Sequence, residues 1–188
     1  MVNLEALNRP DDFRVLKELI GPNGLGLLDD IFVQVLSQNG TKTRQAPSEN
    51  PYYKVLFMPN RGERVTSFYV DYGELSSGTR RVLRILTYLL FDRNSVMLLE
   101  QPEDGLHEWM SQKLISLIRH NADQTQLILA SHSSAMLNQL EPKEIRLVSL
   151  QKAMTVVRSL TARELNAAFH FMNDQGSLYD FLEPIELE

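Results

Sequence analysis

The 188-residue sequence contains no cysteine, which excludes disulfide bonds and thiolate metal sites and fits a cytoplasmic protein. It also lacks an apolar run long enough to span a membrane, so we expect no membrane partner. The N-terminus has no basic start followed by an apolar core, so no secretory signal is expected. A basic excess is missing too. The net charge of −5 gives no general attraction to nucleic acid or anionic lipid.

Length and composition, with 43% hydrophobic and 23% charged residues, are those of one globular domain. We divide it into two regions. Residues 1–72 are expected to form an arm that starts with a helix, because Phe13, Leu16 and Ile20 recur at helical spacing. Three β-rich stretches follow, and they predict an antiparallel meander with one long loop: IFVQVL, YYKVLFM and RVTSFYV.

Residues 73–188 alternate between amphipathic helices and apolar strands. The predicted helices lie in LSSGTRRVLRILTYLLF, EWMSQKLISLIRH and TARELNAAFHFM, and the predicted strands are VMLLE, QLILASH, IRLVSL and MTVVRSL. Strands that are apolar on both faces and alternate with helices predict an α/β fold with a largely parallel sheet. In such sheets ligands bind beyond the carboxyl ends of the strands, where this chain has Glu100-Gln101 and Ser131-His132.

Three features along this region suit phosphate chemistry. The run Ser76-Ser77-Gly78-Thr79 precedes a helix and offers hydroxyls, free N–H groups and the positive end of the helix dipole. Glu100 ends a buried strand and is suited to hold Mg²⁺ through water. His132, after a neighbouring strand, is placed to reach a terminal phosphate.

Each of these features also has a simpler interpretation. The serines can be a helix cap, Glu100 a partner in a surface ion pair, and His132 an ordinary polar residue. The three arginines of the helix predicted in LSSGTRRVLRILTYLLF are most simply a solvated helix face: Arg80, Arg81 and Arg84. What favours a phosphate site is the order and spacing of all the features together.

That order resembles the heads of ABC-type ATPases, in particular the branch of P-loop NTPases that contains the RecF, SMC and OLD-like proteins. Glu74 to Thr79 is similar to the ABC signature, although Ser77 and Thr79 depart from the common Leu-Ser-Gly-Gly-Gln form. Val96 to Glu100 resembles the Walker B strand. The resemblance covers roughly residues 73–150.

Two further stretches carry the same resemblance. Pro102 to His107 is similar to the Pro-Glu-x-x-Leu-His run of the OLD-like branch, and Leu127 to His132 resembles the strand that leads into the switch histidine. The resemblance implies ATP and Mg²⁺ as cofactors. The signature residues Ser76 to Thr79 would then bind the γ-phosphate of an ATP held by a facing head, and Glu100 would bind Mg²⁺.

By the same resemblance, Gln101 and His132 would serve the nucleotide of their own head, and Gln101 stands where the family has its catalytic glutamate. A glutamine amide cannot act as a general base, although it can orient water. Either hydrolysis is slow and the protein is mainly an ATP-gated clamp, or Glu103 takes the catalytic role.

The sequence lacks the Walker A loop, Gly-x-x-x-x-Gly-Lys-Ser/Thr. Its nearest string, Gly21 to Leu28, has Leu27 and Leu28 where lysine and a hydroxyl belong, so we interpret it as a helix end and a turn. We therefore predict the C-terminal half of an ATPase head, one incomplete domain that is inactive alone. Its expected partner is a second head, as a homodimer or as the missing N-terminal half, with DNA or a partner protein in the full-length context.

Two other function classes remain open. One is a non-catalytic binding or regulatory module that has lost nucleotide binding, which the missing Walker A loop and Gln101 favour. The other is a metal-dependent nuclease that uses Glu100, Glu103 and Asp104 with two metal ions. The fit of these acidic residues to the Walker B pattern argues against the nuclease.

Overall fold

The fold is given by a computed structural model that describes residues 9–36, 52–60, 68–92, 95–122 and 125–186. Its elements are α1 (Pro10–Ile20), β1 (Leu28–Leu36), β2 (Tyr52–Pro59), α2 (Ser77–Thr87), β3 (Val96–Glu100), α3 (Glu108–Asn121), β4 (Gln126–Ala130), α4 (Ser134–Leu137), β5 (Arg146–Gln151), β6 (Met154–Ser159), α5 (Ala162–Asp174) and α6 (Leu178–Glu186). A π-helical turn, Tyr88–Asp92, continues α2. None of the helices within these ranges is long and apolar enough to cross a membrane.

The arm contains α1, β1 and β2. The predicted helix is confirmed, and Leu16 and Ile20 form its buried face. After Ile20 the chain makes turns, as expected for the Gly21–Leu28 string, with Gly26 in the left-handed region at φ 66°. The long loop between the first two strands and most of the third predicted strand lie outside the described residues. The end of that stretch, Val70, bridges Phe57 with N–O distances of 2.8 and 2.9 Å.

The α/β class is confirmed, and the sheets are mixed. β1 and β2 are antiparallel, β3 and β4 are parallel, and β5 and β6 are antiparallel. The last pair forms a hairpin because a two-residue turn joins its strands, and both turn residues, Lys152 and Ala153, have positive φ. Within the described residues, the parallel part of the fold is therefore the β3–β4 pair.

Two hydrophobic cores hold the chain together. The larger core contains buried residues of α1, β1, β2, α2 and α3, so the arm and the first part of the α/β region pack as one body. The inner face of β3–β4 packs on it through Met97, Leu99 and Leu127. The smaller core lies between the β5–β6 hairpin and the last two helices, and its buried members are Ile145, Leu160, Ala168, Leu178 and Leu182.

The outer face of the parallel pair is apolar and exposed. Side chains alternate between the faces of a strand, so Val96, Leu98 and Ile128 point away from the larger core. Their exposed fractions are 47%, 72% and 50%. Parallel strands are ordinarily covered on both faces. In the part of the chain that the structure describes, β3 and β4 are therefore covered on one face only.

Candidate functional site

The signature-like run lies at the start of α2, where Ser76 is the N-cap residue. The Ser76 hydroxyl accepts a hydrogen bond from the Thr79 N–H at 3.1 Å and lies 2.8 Å from Thr79 Oγ1. Thr79 and Gly78 are buried, whereas Ser76 and Ser77 are exposed, and the Ser76 hydroxyl is already engaged by Thr79. Among the four predicted phosphate-binding residues, Ser77 therefore has the hydroxyl that is most open to a ligand. Ser76 and Thr79 shape the helix start.

Gly78 brings this helix start against the loop that follows β3. A Cβ atom at Gly78 would lie 2.3 Å from the Gly105 carbonyl oxygen and 2.9 Å from Leu106 Cδ2. Gly105 itself has φ 75°, in the left-handed region that favours glycine. The two glycines therefore permit direct backbone contact between the signature-like run and the Pro102–His107 loop.

The carboxyl ends of β3 and β4 lie side by side because the two strands are parallel and in register, with Glu100 opposite Ala130. One further hydrogen bond, from the Gln101 N–H to the Ala130 carbonyl at 2.7 Å, extends the pairing. Beyond it, Gln101 Nε2 lies 3.3 Å from His132 Nδ1. The structure thus brings together Gln101 and His132, two of the three predicted catalytic residues.

Gln101 also has unusual backbone geometry. Its φ of 43° is in the left-handed region, which non-glycine residues seldom occupy. This conformation ends the strand abruptly at the residue predicted to meet the nucleotide. Strained backbone of this kind is common at functional sites.

Glu103, the third predicted catalytic residue, is held by the loop after β4. The Ser131 hydroxyl donates to Glu103 Oε1 at 2.5 Å and accepts from the Ser133 N–H at 3.0 Å. The other carboxylate oxygen of Glu103 is buried and has no hydrogen-bond partner within the described structure. Glu103 therefore joins the loop that follows β3, which begins at Gln101, to the loop that follows β4, which contains His132. Sequence reasoning noted Ser131 as a polar strand end and missed this contact.

Arg81 links α2 to the end of β3. One guanidinium nitrogen, Nη2, donates to the Glu100 carbonyl at 2.7 Å, and Nη1 lies 3.7 Å from an oxygen of Asp104. The interpretation of the three arginines as a solvated helix face is therefore wrong for Arg81. The error has a physical cause: the side chain is long enough to reach a strand end that lies 19 residues away in sequence.

A cleft of about 530 Å³ opens beside the start of α2. The three arginines of α2 line it, together with Tyr72, Ser77, Asp104 and Gly105. A second cleft, of about 220 Å³, lies near Glu103 and Ser133. The larger cleft is thus next to the signature-like run and is basic.

The predicted metal ligand, Glu100, has an exposed side chain at the end of β3. The neighbouring carboxylates have contacts of their own, since Glu103 meets Ser131 and Asp104 faces Arg81. Across the described ranges, no three His, Asp or Glu side chains are grouped to hold a metal ion. One exposed carboxylate such as Glu100 is compatible with Mg²⁺ that is held together with water and phosphate.

Solved structures with a similar fold include heads of SMC ATPases. One chain, from work on ATP-driven dimerization and DNA stimulated activation of SMC ATPases, is 13% identical with a TM-score of 0.56, over 94% of this chain and 100% of that one. The SmcHead bound to the C-winged helix domain of ScpA is 12% identical with a TM-score of 0.57, over 87% of this chain and 44% of that one.

A third similar structure is the Smc head domain with an extended coiled coil, bound to the C-terminal domain of ScpA, from Pyrococcus furiosus. It is 12% identical with a TM-score of 0.58, and the match covers 92% of this chain and 40% of that one. The chain therefore spans less than half the length of these two ScpA-bound heads. At such identities the likeness shows the fold alone.

No curated protein matches the chain. A family profile does match, over residues 5–138, which is more than half of the sequence. The match includes the arm, the signature-like run, the β3–β4 pair and His132. The chain belongs to the AAA domain family described as putative AbiEii toxin, Type IV TA system, and it has the α/β fold of SMC ATPase heads.

Proposed function

We propose that the chain is the C-terminal half of an ABC-type ATPase head that, once completed, binds ATP and Mg²⁺ at the ends of β3 and β4 and joins a facing head through the start of α2. The observation that carries this proposal is the contact of 3.3 Å between Gln101 and His132 at the carboxyl ends of parallel strands. Ligands of open α/β sheets bind at these ends. Family membership and the head fold support it.

The strand ends offer each group that such a site needs. Glu100 is exposed, and its carboxylate has no ion pair or hydrogen bond among the residues described, so it is free to hold Mg²⁺ together with water and phosphate oxygens. Bound Mg²⁺ would neutralise charge on the phosphates. When the Gln101 amide N–H donates to His132 Nδ1, the other ring nitrogen, Nε2, would be left to donate to a phosphate oxygen.

Gln101 and Glu103 argue for slow hydrolysis. Gln101 can orient a water molecule and cannot remove its proton. Glu103 accepts a hydrogen bond from Ser131 and is thereby committed to joining two loops. We therefore favour an ATP-gated clamp over a fast ATPase. The glutamine at position 101 also favours a second function, a regulatory module that has lost nucleotide binding altogether.

The exposed face of β3–β4 supports the idea of an incomplete head. Leu98 is 72% exposed, although it lies in the middle of a parallel strand. Burying such a face stabilises a protein by roughly 25 cal/mol per Å² of apolar surface. We propose that the N-terminal half, which carries the Walker A loop, covers this face on a longer parent protein or on another subunit.

The test is sedimentation of the completed protein with and without a non-hydrolysable ATP analogue. Ser77→Arg should leave ATP binding to one head nearly unchanged, because Ser77 is exposed at a helix start. It should abolish ATP-dependent association, because the new side chain fills the space where the facing phosphate would lie. The control is Ser149→Arg, at an exposed position of β5 far along the chain. If Ser77→Arg still associates as the parent does, the helix start is only a cap and the facing-head arrangement is wrong.

A further inference from the structure

The basic cleft beside α2 is unexpected in a chain with a net charge of −5. We call it the arginine cleft and define it by Tyr72, Ser77, Arg80, Arg81, Arg84 and Asp104. Three arginines face one aspartate in it, which leaves two positive charges uncompensated. Its volume of about 530 Å³ is that of a site for a small molecule.

The arginines of the cleft differ in whether their guanidinium groups form hydrogen bonds or ion pairs within the protein. Arg81 is engaged by the Glu100 carbonyl and by Asp104. The guanidinium groups of Arg80 and Arg84 have no hydrogen bond or ion pair to any residue in the described part of the chain. They stand four residues apart on α2, a spacing at which like charges repel. An anion between them would remove this repulsion.

We propose that the arginine cleft binds the phosphate chain of a nucleoside triphosphate, with Arg80 and Arg84 as the binding groups. A guanidinium is a planar fork that matches phosphate oxygens with two parallel hydrogen bonds. Ser77, whose hydroxyl is exposed at one end of the cleft, adds a donor. The source of the nucleotide rests on the proposed function, in which it is the ATP held by a facing head. Arg80 and Arg84 would bind its phosphates in addition to the signature-like run.

The walls of the cleft favour a phosphate chain over the bases of a nucleic acid. Binding of single strands relies on aromatic side chains with open faces on which bases stack. Among the described residues that line the cleft, Tyr72 is the aromatic one. Its ring packs on Phe57 at a centroid distance of 5.9 Å, and its hydroxyl donates to the Arg80 carbonyl at 3.3 Å. Tyr72 is thus fixed as part of the wall.

The experiment uses the 188-residue chain alone and sodium tripolyphosphate without Mg²⁺, followed by NMR at low ionic strength. We expect saturable shifts at the amides of Ser77 to Arg84 and of Gly105, with a Kd on the order of 1 mM. The double variant Arg80→Gln, Arg84→Gln should bind at least about tenfold more weakly. Arg163→Gln removes one exposed arginine of α5 that does not line the cleft, and its affinity should equal that of the parent.

Two results would overturn the proposal: no saturable shift in the parent, or equal affinity in the parent and the double variant. A short single-stranded oligonucleotide that shifts the same amides at lower concentration than tripolyphosphate would overturn the choice of a nucleotide tail. The test needs no Walker A half. If the completed heads do not associate but the chain binds tripolyphosphate, the proposed function is wrong and the proposal for the arginine cleft is supported. If the heads associate but the chain does not bind tripolyphosphate, only the proposal for the cleft is wrong.

Discussion

The two hydrophobic cores of this protein are built in different ways. The larger core joins helices and strands that are far apart in sequence, from Leu16 in α1 to Ile118 in α3. The smaller core, around Leu160, Ala168 and Leu182, gathers elements that follow one another along the chain. All the predicted catalytic, phosphate-binding and metal-binding residues lie on elements or loops next to the larger core.

The difference also concerns completeness. The larger core ends at a parallel pair whose outer face is exposed, as Leu98 shows. The smaller core is bounded by local contacts, such as the capping box of α5 and the ion pair between Arg158 and Glu164. Within the described ranges, the candidate chemistry therefore lies beside the core whose parallel strands are covered on one face only. This is what an ATPase head divided between two halves requires.

The largest effect we expect comes from Gly78→Ala, which tests the tight contact of the larger core. The added Cβ would lie 2.3 Å from the Gly105 carbonyl oxygen, so the backbone must shift. We expect a loss of about 3 kcal/mol in the free energy of unfolding, the upper end for overpacking. Gly73→Ala is the control, since no atom lies within 4 Å of its added Cβ. Chemical denaturation measures both. Equal stability of the two variants would show that α2 does not pack on this loop.

A smaller effect should separate the two faces of β3. Leu99 packs on the larger core, whereas its neighbour Leu98 is 72% exposed. In the isolated chain, Leu99→Ala should cost about 1–2 kcal/mol, below the range for a fully buried leucine. Leu98→Ala should stay within about 0.5 kcal/mol.

The same two variants, Leu98→Ala and Leu99→Ala, also test whether a missing half covers the outer face of β3 beside the larger core. In the completed head, Leu98→Ala should become as costly as Leu99→Ala, because the second half would then cover the outer face. If Leu98→Ala already destabilises the isolated chain as much as Leu99→Ala, that face is covered by the chain itself. The idea of a missing half would then lose its structural support.

Local patterns predicted much of this fold. Helical spacing located α1, and the amphipathic stretch TARELNAAFHFM located α5. The expectation that two parallel strands end side by side placed Gln101 near His132. In these cases the signal is local, or it follows from a general rule of sheet geometry.

What sequence reasoning missed depends on tertiary placement. The contact from Ser131 to Glu103 joins residues 28 apart, and no periodicity reports it. The hairpin of β5 and β6 was missed for another reason. Its turn residues, Lys152 and Ala153, have positive φ without the glycine or asparagine that ordinarily marks such turns. The roles of Ser76 to Thr79, Glu100, Gln101, Glu103 and His132 stay predictions.

The smallest effect we expect is electrostatic and belongs to the smaller core. Both carboxylate oxygens of Glu164 accept from Arg158 at 2.9 Å, and one also accepts from the Thr161 N–H at 2.6 Å. The Arg158 guanidinium, followed by Thr161, lowers the pKa of Glu164 from 4.5 to about 2. Because the folded-state pKa is depressed, these contacts stabilise the fold above pH 4.5 and are lost as the pH falls towards 2.

Glu164→Gln tests this pH dependence. The variant should be less stable than the parent at pH 7, by a small amount because the pair is exposed to solvent. The difference should shrink between pH 4.5 and pH 2, where the parent carboxylate becomes protonated. Thermal unfolding at several pH values measures it, and Glu183→Gln on α6 controls for the loss of one exposed negative charge. A stability difference that stays constant from pH 7 down to pH 2.5 would mean that the charge of Glu164 does not support the cap of α5.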